Sequence, residues 1–133
     1  MERIAFFFLL GLGTLAACTR TPGEQLLGKW KLDSAYYHYN QFSFSSGGWH
    51  QEEIYEFLPS GETRTLAQGS FISNAYELEG NQLVYLDEAG VPSSTYEILA
   101  LDRNHLVLRA EKQPLFKGGN QNRFEIRYFS KFD

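Results

Sequence analysis

From residue 28 to residue 132, turn signals interrupt the chain about every 8–12 residues, and the runs between them are rich in β-branched and aromatic side chains. This punctuation restricts the fold more than any other feature. Segments so short suit strands, and their regular spacing is the mark of a sandwich or a barrel. The expected strands are 28–39, 49–58, 63–68, 70–78, 82–86, 94–101, 105–111 and 123–132. The Ser- and Gly-containing stretch 40–48 reads as a loop, as does the Gly- and Asn-rich stretch 113–122. Pro59-Ser60-Gly61-Glu62, Glu79-Gly80-Asn81, 87–92 and Asp102-Arg103-Asn104 carry turn residues. Gly69 separates two of the strands. No window has a long helical period, and 25–28 is long enough for a single turn at most. The expected fold is all-β: a small antiparallel up-and-down barrel of about eight strands, in which closure removes exposed edges.

Alternation within the strands indicates which side chains point inward. In 123–132, Phe124, Ile126 and Tyr128 share one face, and Arg123, Glu125 and Arg127 share the other. Tyr55 and Phe57 oppose Ile54, Glu56 and Leu58, while Ile72, Tyr76 and Leu78 fall together. The expected inward set adds Trp30, Leu83, Tyr85, Tyr96, Ile98, Leu106 and Leu108, with Phe124, Ile126 and Tyr128 from the last strand. An eight-stranded barrel is either filled by its side chains or holds one small ligand. Buried tyrosine hydroxyls need partners, which a ligand or ordered water can supply.

The N-terminal segment stands apart from this pattern. Arg3 precedes an apolar run from Ile4 to Leu12, and Leu15-Ala16-Ala17-Cys18 follows. A run of about 14 apolar residues is shorter than the roughly 20 a spanning helix needs, so 1–17 reads as a signal peptide. Leu15-Ala16-Ala17-Cys18 resembles a bacterial lipobox. The resemblance implies cleavage before Cys18, a diacylglycerol on its thiol and acylation (palmitate, for example) of the new amino group. Two or three chains anchor firmly where one holds marginally. Thr19 stands where inner-membrane lipoproteins often carry Asp, and no acidic cluster follows it. The implied address is the outer membrane, facing the periplasm. Residues 18–25 then form a lipidated tether and 26–133 the barrel domain. Cys18 is the single cysteine, so the domain has no internal disulfide and depends on its core.

A second resemblance covers about residues 26–132. Gly28-Lys29-Trp30 at the first strand is similar to the Gly-x-Trp signature of lipocalins. Tyr55-Glu56-Phe57 with Gly61, Leu78-Glu79-Gly80-Asn81-Gln82-Leu83, Tyr96-Glu97-Ile98-Leu99-Ala100-Leu101 and Leu106-Val107-Leu108 follow in the order seen in short lipocalin-like bacterial lipoproteins. The resemblance implies that Trp30 plugs one barrel end, with Arg127 or Lys131 packed over it as a structural cation–π pair. It also implies that Gly28 and Trp30 are structural rather than ligand-binding.

The remaining residues give few candidates for chemistry. The chain has 12 Lys and Arg against 16 Asp and Glu, a net charge of -4, with no basic run, which argues against nucleic acid as a partner. His50 and Glu52, two apart on one strand, form either an acid–base or metal pair or a solvated polar face. No nucleophile elbow, phosphate loop, zinc-ligand spacing or cofactor motif occurs, and no catalytic activity is expected. Tyr36 to Tyr39 form a polar-aromatic run that Phe42 and Phe44 continue, which reads either as a lid at the barrel mouth or as a packing strand. The expected function is binding of a small, partly apolar molecule by Tyr37, Tyr39, Phe42, Tyr76, Tyr85, Tyr96 and Tyr128. The alternative is a filled barrel that contacts another envelope protein through an apolar patch near Tyr37, Tyr39, Phe42 and Trp49.

Overall fold

A computed structural model describes residues 20–47, 53–113 and 122–132. Cys18, the segment 1–17, Trp49, His50 and Glu52 lie outside the described residues.

The first element is a short helix, α1 (Pro22–Leu26), and nine strands follow: β1 (Gly28–Tyr39), β2 (Phe42–Gly47), β3 (Ile54–Phe57), β4 (Glu62–Ala67), β5 (Ser70–Glu79), β6 (Gln82–Leu86), β7 (Pro92–Leu101), β8 (His105–Glu111) and β9 (Arg123–Phe132). Every strand pairs antiparallel with its neighbour, and β9 returns to pair with β1, closing an eight-stranded barrel of β1 and β3 to β9. The ninth strand, β2, is extra. It pairs with the second half of β1, while β3 pairs with the first half.

Two expectations change here. The stretch 40–48 was expected to be a loop, yet Phe42–Gly47 is a strand, because the long β1 offers a free edge beyond its pairing with β3 and Phe42 and Phe44 pair with Tyr39 and Tyr37 across it. The expected tether 18–25 includes Pro22 to Gln25, which belong to α1. Pro starts this helix without losing a needed donor, and the Thr21 side chain accepts the Glu24 N–H.

One barrel end is shut. Leu26, Trp30, Phe57, Leu83, Leu106, Leu108 and Phe129 form the buried cluster. Trp30 is 0% exposed, and its indole N–H donates to the Leu26 carbonyl at 2.8 Å. Lys131 donates to the Leu27 carbonyl and lies 4.4 Å from the centre of the Trp30 ring. Of the two cations the resemblance offered for this contact, the barrel closes with Lys131. The ladder puts Lys131 directly opposite Trp30 on the neighbouring strand, whereas Arg127 lies opposite Ala35.

Gly28 permits this closure. Its φ of +108° disfavours any side chain, and a Cβ there would stand 2.7 Å from the Lys131 Nζ. Gly28→Ala therefore forces strained backbone and displaces the ammonium at once. We expect it to cost about 1–3 kcal/mol, measured by urea unfolding, with the denaturant dependence unchanged. A loss below a few tenths of a kcal/mol would show that the backbone relaxes freely.

The last strand corrects the inward set. Glu125 and Phe129 are each 3% exposed, whereas Tyr128 is 41% exposed. Alternation therefore puts Glu125, Arg127, Phe129 and Lys131 inside, and Phe124, Ile126 and Tyr128 outside. The cause is the pairing with β1: Trp30↔Lys131, Leu32↔Phe129, then a bulge, then Ala35↔Arg127 and Tyr37↔Glu125. Paired residues share a face, so the inward residues of β1 decide the inward residues of β9. The apolar outer face is not bare. The His38 ring stacks on Phe124 at 4.7 Å, and the Arg109 guanidinium lies 4.6 Å from the same ring. Ile72 keeps its inward register opposite Thr65 but is 53% exposed, because it lies near the open end.

Candidate functional site

The open end lies opposite Trp30, where β1 and β8 finish and β9 begins. Here the long β1 and the extra β2 extend the wall. Tyr37 stacks on Phe44 with ring centres 5.0 Å apart, and Tyr39 pairs with Phe42. Phe42 and Phe44 are 73% and 63% exposed. A hollow of about 550 Å³ lies against this aromatic wall, and His38, Lys112, Arg123, Phe124 and Glu125 complete its lining. That volume is within the range of small-molecule sites.

A second hollow, of about 520 Å³, adjoins it. Its origin is a gap in the sheet. The ladder between β7 and β8 ends at Glu97↔Arg109, and beyond that pair the two strands separate. Ser94, Tyr96, Ala110 and Lys112 face the gap. Lys112 lines both hollows, so it stands at their junction.

Below the mouth, charges run into the barrel. The Glu125 side chain is 4% exposed, and its Oε1 accepts from Arg127 Nε at 2.8 Å and pairs with Lys112 Nζ at 3.4 Å. One Arg127 Nη donates to the Tyr55 hydroxyl at 3.1 Å, and that hydroxyl donates to Glu53 at 3.0 Å. Arg127 also lies 5.6 Å from the Tyr96 ring centre, and Tyr96 meets Tyr85 edge to face at 5.7 Å. The Arg127 side chain keeps 24% exposure although it points inward, so it looks into space that solvent can reach. Among the described residues, the buried side-chain polar atoms without a hydrogen-bond partner are Ser46 Oγ and Thr63 Oγ1.

Burial raises the pKa of these tyrosines. Tyr55 is pushed up to about 12, mainly by burial, with the Arg127 charge opposing and the Glu53 carboxylate adding to it. Burial also pushes up Tyr85 and, at the shut end, Tyr76. The folded state thus prefers the neutral phenols. The Tyr55 contribution is present in full below the ordinary value of 10.0 and is lost as pH rises towards 12. At about pH 11, a folded sample should show less phenolate absorbance than the same chain in urea, and its stability should fall above about pH 10. Equal absorbance would contradict the buried placement.

The seven residues expected to bind ligand fall into separate groups. Tyr37, Tyr39 and Phe42 come together on the aromatic wall, and Tyr85 and Tyr96 meet in the interior. Tyr76 is apart from them: it packs edge to face on Phe57 and donates to the Leu58 carbonyl at 3.0 Å, near the shut end. Tyr128 is on the outer face. Sequence reasoning missed Lys112, Arg123, Glu125, Arg127 and Tyr55. A signal for three of them existed: the face carrying Arg123, Glu125 and Arg127 continues to Phe129 and Lys131. The described residues include no group of three His, Cys, Asp or Glu side chains placed to hold a metal ion.

Comparison with known proteins adds no identification. No family model matches the chain, and no curated protein matches it. The eight-stranded barrel with one shut end fits a lipocalin-like fold.

Proposed function

We propose that this chain is a membrane-anchored, lipocalin-like lipoprotein that binds a small, partly apolar molecule at the open end of its barrel. The inverted last strand carries this reading. Arg127 and Glu125 point inward while Phe124, Ile126 and Tyr128 point out. Removing charges from water costs stability, and a packed apolar core of the same volume is often as stable or more so. Charges kept beside a hollow and under an aromatic wall suit binding better than packing.

The anchor rests on the lipobox at Cys18. Cys18 and Pro22, the first residue of α1, are four positions apart, a span of about 14 Å at most. Because α1 joins the shut end, a lipid on Cys18 holds that end near the membrane and directs the mouth away from it. An outer-membrane lipoprotein would then open towards the periplasm. The rival reading, an interaction module for another envelope protein, draws on the exposure of Phe42 and Phe44. It leaves the interior charges without a role.

Native mass spectrometry of the full chain, taken from bacterial membranes in mild detergent, tests the proposal. The expected spectrum has a diacylglyceryl mass on the Cys18 peptide and a further mass that organic extraction removes. An unmodified cysteine overturns the anchor. A bare barrel, unchanged after incubation with envelope extracts, overturns the binding role and favours the interaction module.

A further inference from the structure

We propose that the gap between β7 and β8 accepts a short extended segment of a partner polypeptide, which the barrel takes in as an added strand. This site is separate from the ligand proposed for the mouth and does not depend on it.

The ladder between β7 and β8 runs Leu101↔Leu106, Ala100↔Val107, Ile98↔Leu108 and Glu97↔Arg109, and there it stops. Continued in register, its next rungs would be Tyr96 with Ala110 and Thr95 with Glu111. Those four residues line the gap instead. In an antiparallel ladder, successive residues turn their N–H and C=O to opposite neighbours. The Ile98 amide donates to the Asn81 carbonyl at 2.7 Å, so Tyr96 and Ser94 also turn theirs towards β6, opposite Leu83 and Tyr85. Thr95 then turns its N–H and C=O into the gap. On the far side, the Lys112 amide donates to the Arg123 carbonyl at 2.8 Å, so Lys112 and Ala110 turn theirs towards β9. Glu111 therefore faces the gap in its turn. Two strand edges thus look at each other across a hollow, and no strand pairs with them there among the described residues. Edges of this kind are templates for a further strand.

Charge and volume narrow what enters. The lining carries Glu97 and Glu111 against Arg109 and Lys112, so it selects no net charge. Arg109 already pairs with Glu111 at 2.8 Å, and Lys112 with Glu125 at 3.4 Å. Recognition falls to the backbone groups. An extended peptide meets both edges at once, antiparallel to one strand and parallel to the other, and a compact small molecule does not. An extended residue takes about 3.3 Å along a strand, about 4.8 Å across the sheet and about 10 Å through it. The hollow of about 520 Å³ therefore holds roughly three such residues. Paired residues share a face. The guest residue level with Thr95 and Glu111 points outward, where both of these are exposed. Its two neighbours point inward, one between Tyr96 and the buried Ala110, the other between Ser94 and Lys112. A neutral segment that alternates hydroxyl-bearing and small apolar residues suits this arrangement.

Fluorescein-labelled Thr-Val-Thr-Val-Thr, titrated into the full chain in mild detergent and followed by anisotropy, tests the proposal. The control is the same peptide N-methylated on its three central amides, which keeps the side chains and removes the donors. The methylated peptide is expected to bind at least about tenfold more weakly, the loss of one or two hydrogen bonds. Thr95→Pro removes a donor that faces the gap and spares the ladder to β6, so it should weaken the plain peptide about tenfold. Thr95→Val should leave the affinity unchanged. Hydrogen exchange gives a second readout that needs no variant. In the free protein, the Thr95 and Glu111 amides should exchange at least about tenfold faster than those of Tyr96 and Lys112, and saturating peptide should slow both to a similar degree. Equal affinity for the two peptides means side-chain adsorption and overturns strand addition. Binding of neither peptide at about 1 mM overturns it too. Protection of Thr95 and Glu111 in the free chain, which would mean that their backbone groups are already paired, also overturns it.

Discussion

Trp30→Ala should destabilise the barrel by about 3–5 kcal/mol and lower its thermal midpoint by about 10–20 °C. The indole is 0% exposed and is among the largest fully buried side chains. Three elements converge on it. Leu26 of α1 lies in the same cluster and accepts its N–H, Lys131 of β9 covers its ring, and Phe57 of β3 packs in the same cluster. Deleting it opens a cavity, removes a cation–π contact and leaves the Leu26 carbonyl unpaired in one step. Trp30→Phe separates these effects, because it keeps most of the apolar area and loses the donor. We expect about 1–2 kcal/mol for that change. Differential scanning calorimetry of both variants checks the pair. A midpoint shift below about 3 °C for Trp30→Ala would show that the shut end is not part of the cooperative core.

Arg127→Gln is the second large expectation. It takes the guanidinium from Glu125, whose side chain is 4% exposed, and leaves Lys112 at 3.4 Å as the one remaining cation on that carboxylate. A buried carboxylate left with one part-exposed cation is expensive, and we expect a loss of about 3 kcal/mol. Glu125→Gln added to Arg127→Gln removes the under-compensated charge and should recover about half of the loss. Urea unfolding of the wild type, both single variants and the double variant gives the coupling directly. If the two losses simply add, the pair is not energetically linked, and the interior charges act independently.

Much of the strand pattern was legible because turn chemistry is local. Gly61, Gly69 and Gly80 have positive φ at three of the turns where the sequence placed breaks. Asp102 accepts from the Asn104 and His105 amides to close a fourth. Inward Trp30, Tyr55, Phe57, Leu83, Tyr85, Tyr96, Leu106 and Leu108 were legible for a similar reason: burial of large apolar groups leaves a period of two. Local rules had no means of finding β2. Phe42 to Gly47 alternates aromatic residues with serine, which is weak as a strand and acceptable as a loop. It becomes a strand because β1 runs on past β3 and presents unpaired backbone groups.

The last strand marks the limit most clearly. Phe124, Ile126 and Tyr128 alternate with Arg123, Glu125 and Arg127, so the sequence by itself determined that one face is apolar and the other charged. It also determined the antiparallel barrel, the position of its turns and the Gly28-x-Trp30 start. Only the tertiary structure decided which face of β9 points inward. Alternation contains no sign: a shift of one residue exchanges the faces, and the register with β1 resolves it by putting Lys131 opposite Trp30. The same register carries Arg127 to Tyr55 and Tyr96, across about thirty to seventy residues of chain. Their meeting depends on barrel closure, a contact between the first and last strands that no local pattern encodes.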